Sequence, residues 1–294
     1  MTTTKKSNKE FSVTVNLIIF LTLICLVGIT RLLIVHISDK NTFENVSIIA
    51  EINYDSNMDL DKTLSKVENT MEKHYDIDIY YGDMIQEIAT IVQANVLQDK
   101  ITTLSIMQNL NNEFQKYPEG LIKEIQDKGY KVSVYIVDSF NNGNVALANR
   151  TSNGYFNIFL SDASDFAKAF HHELYHILEY YIKLEYDIEL AYINWDKYNP
   201  SDFKYEQDVT KLTYNNVYGL DSQRELCFVS LYSKFSESED RAEVFSSMMV
   251  SNENYKKNYK ASNILNKMNN ITQVLDDVFA SIKSNMYWER YKNI

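Results

Sequence analysis

His172-Glu173-Leu174-Tyr175-His176 sets two imidazoles four residues apart, with a carboxylate beside the first of them. On a helix this spacing stacks the two rings on one face, a turn apart. Paired imidazoles on one face begin a zinc site, and a neighbouring carboxylate can act as general base toward water activated by the ion. The chemistry indicated is metal-assisted hydrolysis, with His172 and His176 as ligands, Glu173 as base and Zn2+ as cofactor. Three of the five histidines in the chain fall within residues 171–176. His171 lies off the shared face and reads as exposed or as a secondary hydrogen-bonding group.

The helix that must carry the motif is legible around it. Ser161 to Asp165 offers N-cap residues, and Phe166, Phe170, Leu174, Ile177 and Tyr181 form an apolar stripe. Position 174 lies about 200° around the helix from position 172. The stripe can therefore enter a core while the histidines face the other way.

Zinc also needs a third protein ligand and an open fourth position. The remaining histidines, His36 and His74, both precede the motif, so a carboxylate is expected. Ser236-Glu237-Ser238-Glu239-Asp240-Arg241-Ala242-Glu243 opens a predicted helix that runs to about Val250. Glu239 and Glu243 share a face of it, so one can bind the metal while the other accepts a hydrogen bond from a ligand imidazole. Ser236 and Glu239 also fit a capping box, and acidic residues suit a helix N-terminus in any case. Spacing alone leaves Glu239 between ligand and cap.

HExxH followed at a distance by ExxAE (Glu239 to Glu243) resembles the catalytic domain of anthrax lethal factor and the clostridial Pro-Pro endopeptidases. These are gluzincin-type metallopeptidases with a zincin-like fold. The resemblance implies Glu239 as third ligand and Glu243 as acceptor of a ligand imidazole's N–H. It also implies that Tyr232, seven residues before Glu239, stabilises the oxyanion. It covers residues 161–181 and 232–250. A long insertion from about Glu185 to Val229 and an apolar amino-terminal span depart from the pattern, so Pro-Pro specificity does not carry over.

Around the motifs, the pattern predicts an α+β fold: a small mixed sheet, the active-site helix and a mostly helical carboxy-terminal half. Asp61 to Tyr75 repeats Leu64, Val67 and Met71 at helical spacing, and Asp76 to Tyr81 alternates as a strand. Met84 to Leu97 fits helix and strand equally. Asp99 is placed to cap a helix through about Phe114, and a short helix ends at Gly129. Val132 to Val137 and Tyr155 to Leu160 read as strands, with a turn at Asn141 to Asn144. The strand just before the motif reads either as the sheet edge, where an extended substrate adds as a further strand, or as an ordinary interior strand. The first reading makes Tyr155, Phe156, Asn157 and Ile158 candidate substrate-binding residues.

Phe11 to Thr30 contains no charged residue over about the length that crosses a bilayer, and Leu32 to Ile37 extends the run beyond Arg31. No small-residue cleavage site follows, so the segment reads as an uncleaved signal anchor. Lys5, Lys6 and Lys9 precede it, placing the amino terminus inside and the body outside. The expected organisation is a cytoplasmic tail and transmembrane anchor over residues 1–37, a linker over 38–60 and the catalytic domain over 61–294. The first 36 residues carry +3, which leaves −14 of the net −11 to the body. Such an acidic body repels phosphate backbones and argues against nucleic-acid binding. Only 7 Gly and 2 Pro in 294 residues argue for long helices over many short strands. Cys25 and Cys227 offer no disulfide framework and no cysteine-based zinc site. Asn, Ile, Lys and Tyr dominate, the bias of an AT-rich bacterial genome, and cysteine poverty fits the cytoplasm or the outer face of a Gram-positive cell. The sequence thus predicts a membrane-anchored zinc metalloendopeptidase acting on an extracellular protein or peptide. The competing expectation is an inactive zincin-fold binding or sensor protein.

Overall fold

The computed structural model describes residues 49, 52, 57–186, 194–217, 226–250, 263–282 and 286–291. The expected membrane span and most of the linker lie outside these residues. Among the described residues, no helix is long and apolar enough to cross a membrane.

The fold is α+β. Helix α1 (Leu60–Tyr75) starts where the Asp59 side chain accepts the Lys62 N–H, so Leu60, expected in the linker, opens the helix. Leu64, Val67 and Met71 are buried as the spacing predicts. Strand β1 (Asp78–Tyr80) follows. The ambiguous stretch then divides into a 3-10 turn (Gly82–Ile85), the short helix α2 (Gln86–Ile91) and strand β2 (Ala94–Val96). Asp99 caps α3 (Lys100–Phe114) by accepting the N–H groups of Ile101 and Thr102. Helix α4 (Leu121–Asp127) ends just before Gly129, whose φ of +91° suits a residue without a Cβ.

Three further strands complete the mixed sheet: β3 (Lys131–Phe140), β4 (Ala146–Arg150) and β5 (Tyr155–Leu160). β3 is central and pairs in parallel with β1 and β5, while β2 runs antiparallel along its end. Among the described residues β4 pairs only with β5, antiparallel, and forms the edge. The expectation that Tyr155, Phe156, Asn157 and Ile158 form the sheet edge is therefore corrected. β5 is hydrogen-bonded on both sides, and Phe156, Asn157 and Ile158 are buried. The continuous apolar run Tyr-Phe-Asn-Ile-Phe-Leu is the pattern of a strand covered on both faces. β4 carries no such signal, because Ala and Asn are poor strand formers and the stretch has no alternation.

Helix α5 (Phe166–Glu185) lies across β4 and β5. Phe170, Leu174, Ile177 and Tyr181 are fully buried in the main core, each contributing about 1.5–3 kcal/mol by leaving water. Asp165 sits at its N-cap position without a side-chain capping bond, contrary to the expected cap. Helix α6 (Glu237–Val250) packs along α5, and α7 (Asn263–Val278) packs on α6. Between α5 and α6 the described chain is not helical, as had been expected, but runs through loops and 3-10 turns.

That connection is held by a buried ion pair. Lys267 on α7 reaches Asp240 on α6 at 2.6 Å, with neither side chain exposed. Trp195 Nε1 and the Tyr205 hydroxyl donate to the same carboxylate at 3.0 and 2.9 Å. Lys267 also donates to the Asn199 side chain and to the Cys227 carbonyl, both at 2.7 Å. Burial pushes Asp240 up and Lys267 down in pKa, each restrained by the charge of the other.

Lys267→Met would leave Asp240 buried without its cation. It is expected to cost about 3–5 kcal/mol, read as a lower denaturant midpoint at unchanged m-value. A loss below about 1 kcal/mol would show that the pair does not hold the connection in place.

Candidate metal centre

Helices α5 and α6 bring their polar residues together at the edge strand. His172 and His176 stack one turn apart, with ring centroids 4.8 Å apart, and their Nε2 atoms approach to 3.1 Å. Glu239 Oε2 lies 2.9 Å from His172 Nε2 and 3.5 Å from His176 Nε2. These are the separations of neighbouring vertices of a tetrahedron about 2 Å in radius, the distance of zinc from imidazole nitrogen and carboxylate oxygen. The donor set of two imidazoles and one carboxylate fits a zinc ion on these distances.

The other ring nitrogens are held from behind. His172 Nδ1 lies 3.0 Å from Glu243 Oε1, and Lys168 donates to the second oxygen of Glu243 at 2.7 Å. His176 Nδ1 faces the Ser238 hydroxyl at 3.4 Å and Glu179 at 4.0 Å. Ser238 donates to Glu179, and Arg241 Nε donates to it at 2.6 Å. Each imidazole is thus oriented from its Nδ1 side, leaving its Nε2 toward the common point.

Burial alone would pull both imidazoles down in pKa. Hydrogen bonds to Glu239 and Glu243 overcome it at His172, which is raised to about 9. Glu179 and Glu239 do the same for His176, raised to about 10. In turn the histidines, with Lys168 beside Glu243 and Arg241 and Ser238 beside Glu179, outweigh the desolvation of Glu239, Glu243 and Glu179, which are held at about 2. A divalent cation at this point would have to displace those protons, so its binding is expected to weaken as pH falls.

Glu173 points into the same cleft. Burial raises its carboxyl above the ordinary range, against the pull of the two histidines and of a hydrogen bond from the Ala148 backbone. An N–H turned toward Glu173 is turned away from β5. By antiparallel alternation, Ala146 and Arg150 likewise direct their backbone groups off the sheet. The cleft, about 500 Å³, is bounded by Gly143 to Ala148 on one side and by α5 and α6 on the other.

Tyr232 lies across the cleft in a 3-10 turn (Tyr232–Lys234), its ring centroid 6.1 Å from that of His172 and stacked on Phe235. Burial and the carboxylates of Glu239, Glu173 and Glu243 push its hydroxyl up to about 12, so it remains a donor at neutral pH. Ser236 Oγ accepts the Glu239 N–H at 3.2 Å, forming one half of the capping box. The Glu239 carboxylate goes to the histidines. His171, on the far side of α5, is buried rather than exposed. Burial lowers its pKa, and the neutral ring donates to Glu113 and accepts from Tyr117, both at 2.6 Å.

The structure therefore brings His172, Glu173, His176, Tyr232, Glu239 and Glu243 to one cleft. It leaves Phe156, Asn157 and Ile158 inside the sheet, with Tyr155 at its far end. Sequence reasoning missed Glu179, Lys168 and β4. Glu179 is three residues after His176 and Lys168 four before His172, so helical spacing could have found both.

A family model described as "Putative zinc-binding metallo-peptidase" matches residues 109–283, which contain the whole cleft. A solved structure from Bacteroides caccae ATCC 43185, also described as a "putative zinc-binding metallo-peptidase", shares the fold. It has a TM-score of 0.50 and 16% identity, over 81% of this chain and 93% of that one. No curated protein gives a significant match.

Zinc retention after dialysis against a chelator tests the arrangement. Glu239→Ala is expected to lose the ion, whereas Glu243→Ala and Glu179→Gln retain it with affinity weakened about 10–100-fold. Greater loss from Glu243→Ala than from Glu239→Ala would reassign the ligand.

Proposed function

The chain belongs to the putative zinc-binding metallo-peptidase family, and on that premise we propose that it is a gluzincin-type zinc endopeptidase, anchored in a cell membrane, that cuts extracellular protein or peptide. The observation that carries this reading is the convergence of His172 Nε2, His176 Nε2 and Glu239 Oε2 beside Glu173, next to strand β4. His172, His176 and Glu239 would hold the ion, as in the lethal-factor-like pattern of the motifs. A bound zinc ion supplies the Lewis acidity that makes water a nucleophile at neutral pH.

The remaining steps belong to the chain's own residues. Glu173 takes the proton that the attacking water loses and delivers it to the leaving amine. Its raised pKa brings it closer to the range where one group can both accept and release a proton. Tyr232 donates a hydrogen bond to the oxyanion of the tetrahedral intermediate. Glu243 and Glu179 keep the imidazoles in orientation. The outward backbone groups of Ala146 and Arg150, with the carbonyl of Ala148, take an extended substrate as an added strand, the role expected of β5. Anchoring rests on the uncharged run Phe11 to Thr30, and the outward orientation on the lysines before it.

On a peptide library, the zinc-loaded full-length chain is expected to cleave at defined positions. Glu173→Gln should retain zinc while kcat/KM falls about 10²–10⁴-fold. Equal cleavage by both forms would remove Glu173 as base. Stoichiometric zinc without cleavage by the wild type would favour the inactive binding protein. Topology is read separately, by adding protease to intact cells that express the full-length chain: digestion of the body is expected, and a protected body contradicts the outward orientation.

A further inference from the structure

Tyr232 is partly exposed and projects into the cleft from a 3-10 turn, so its position depends on what holds the turn. Lys234 closes that turn, and its side chain is buried among the loops on the other side. Its ammonium donates to the Thr213 carbonyl at 2.8 Å, to Thr213 Oγ1 at 3.2 Å and to the Asn215 carbonyl at 3.3 Å. The rings of Phe203 and Phe228 lie 5.7 and 5.6 Å from it. Its backbone carbonyl accepts the Glu206 N–H at 3.1 Å. Farther along, the Asn216 carbonyl accepts the N–H groups of Cys227 and Phe228, and Val217 bridges to Phe228. Residues 203–217 thereby wrap the segment that carries Tyr232.

All three oxygens around the ammonium are neutral. Taking a cation out of water toward neutral acceptors costs more than burying an apolar side chain of the same length, and burial pulls the Lys234 pKa below its ordinary value. What the cation does that an apolar chain cannot is tie two backbone carbonyls of one segment to a turn of another through three donors on one atom. We propose that Lys234 is a positioning residue for Tyr232, stapling the turn to residues 213 and 215 so that the tyrosine hydroxyl is held where the oxyanion forms. The long connection between the two motif helices then has a role in the reaction, as the anchor of that turn. This inference rests on the reading of Tyr232 as oxyanion donor.

The test is a double-mutant cycle in the full-length, zinc-loaded chain, assayed on a quenched fluorescent peptide containing a bond found by library cleavage. Tyr232→Phe alone is expected to lower kcat about 10²–10³-fold. Lys234→Met alone is expected to lower kcat about 10–100-fold with KM within about twofold and zinc content unchanged. Added to Tyr232→Phe, it should lower kcat by less than about twofold more, because there is then no hydroxyl left to misplace. Should Lys234→Met fail to fold, Lys234→Gln, which keeps a donor on the same side, is read by the same criteria. An equal loss in both backgrounds, a loss confined to KM, or no loss at all overturns the positioning role while leaving Tyr232 in place. Full activity of Tyr232→Phe would instead reject the donor itself, and the inference with it.

Discussion

Helix α6 enters the core carrying Glu239, Asp240, Arg241 and Glu243 within five residues. Charges cannot be left alone away from water, so every one of them must meet a partner as the helix docks. Glu239 and Glu243 take the two ring nitrogens of His172, Arg241 takes Glu179, and Asp240 takes Lys267. The partners come from α5 on one side and α7 on the other, so the three helices can close in one register only. Buried pairs contribute little net stability compared with apolar packing, but a misregistered pair leaves an uncompensated charge. The cleft forms where these obligations coincide.

The same pairing explains the electrostatics of the centre. Three carboxylates crowd two imidazoles, so the imidazoles hold protons well above their ordinary range and the carboxylates lose theirs well below it. Protons thus satisfy the cluster in the absence of a metal, and metal and proton compete for one set of lone pairs. Glu173 stands apart. It is desolvated like the others but has no imidazole bonded directly to it, so its carboxyl moves up while theirs move down. One cleft thus holds carboxylates shifted in opposite directions.

Much of this was legible in the sequence, for identifiable reasons. HExxH declares its own geometry, since four residues on a helix can face only one way. The stripe from Phe166 to Tyr181 then fixed which way that was. The Asp99 cap and the Leu64, Val67 and Met71 face followed from local chemistry. What could not be read was whatever depended on neighbours distant in the chain. β5 was taken for the edge because nothing in Ala-Leu-Ala-Asn-Arg announces a strand: β4 exists because β5 offers it hydrogen bonds, not because its residues favour the conformation. The Lys234 and Lys267 contacts were likewise invisible, because each joins segments about 20 or more residues apart through side chains that ordinarily face water.

The composition of β4 reaches beyond the fold. Where its backbone faces the cleft, the side chains of Ala146 and Ala148 are single methyl groups. A rim of this kind reads the path of a main chain more than the identity of its residues. A chain already committed to a helix, or to the interior of another sheet, has no spare amides to offer it. On the proposed strand addition, the susceptible proteins are those that can release a few consecutive residues into open strand. Their susceptibility would follow how readily they fray as much as what they spell.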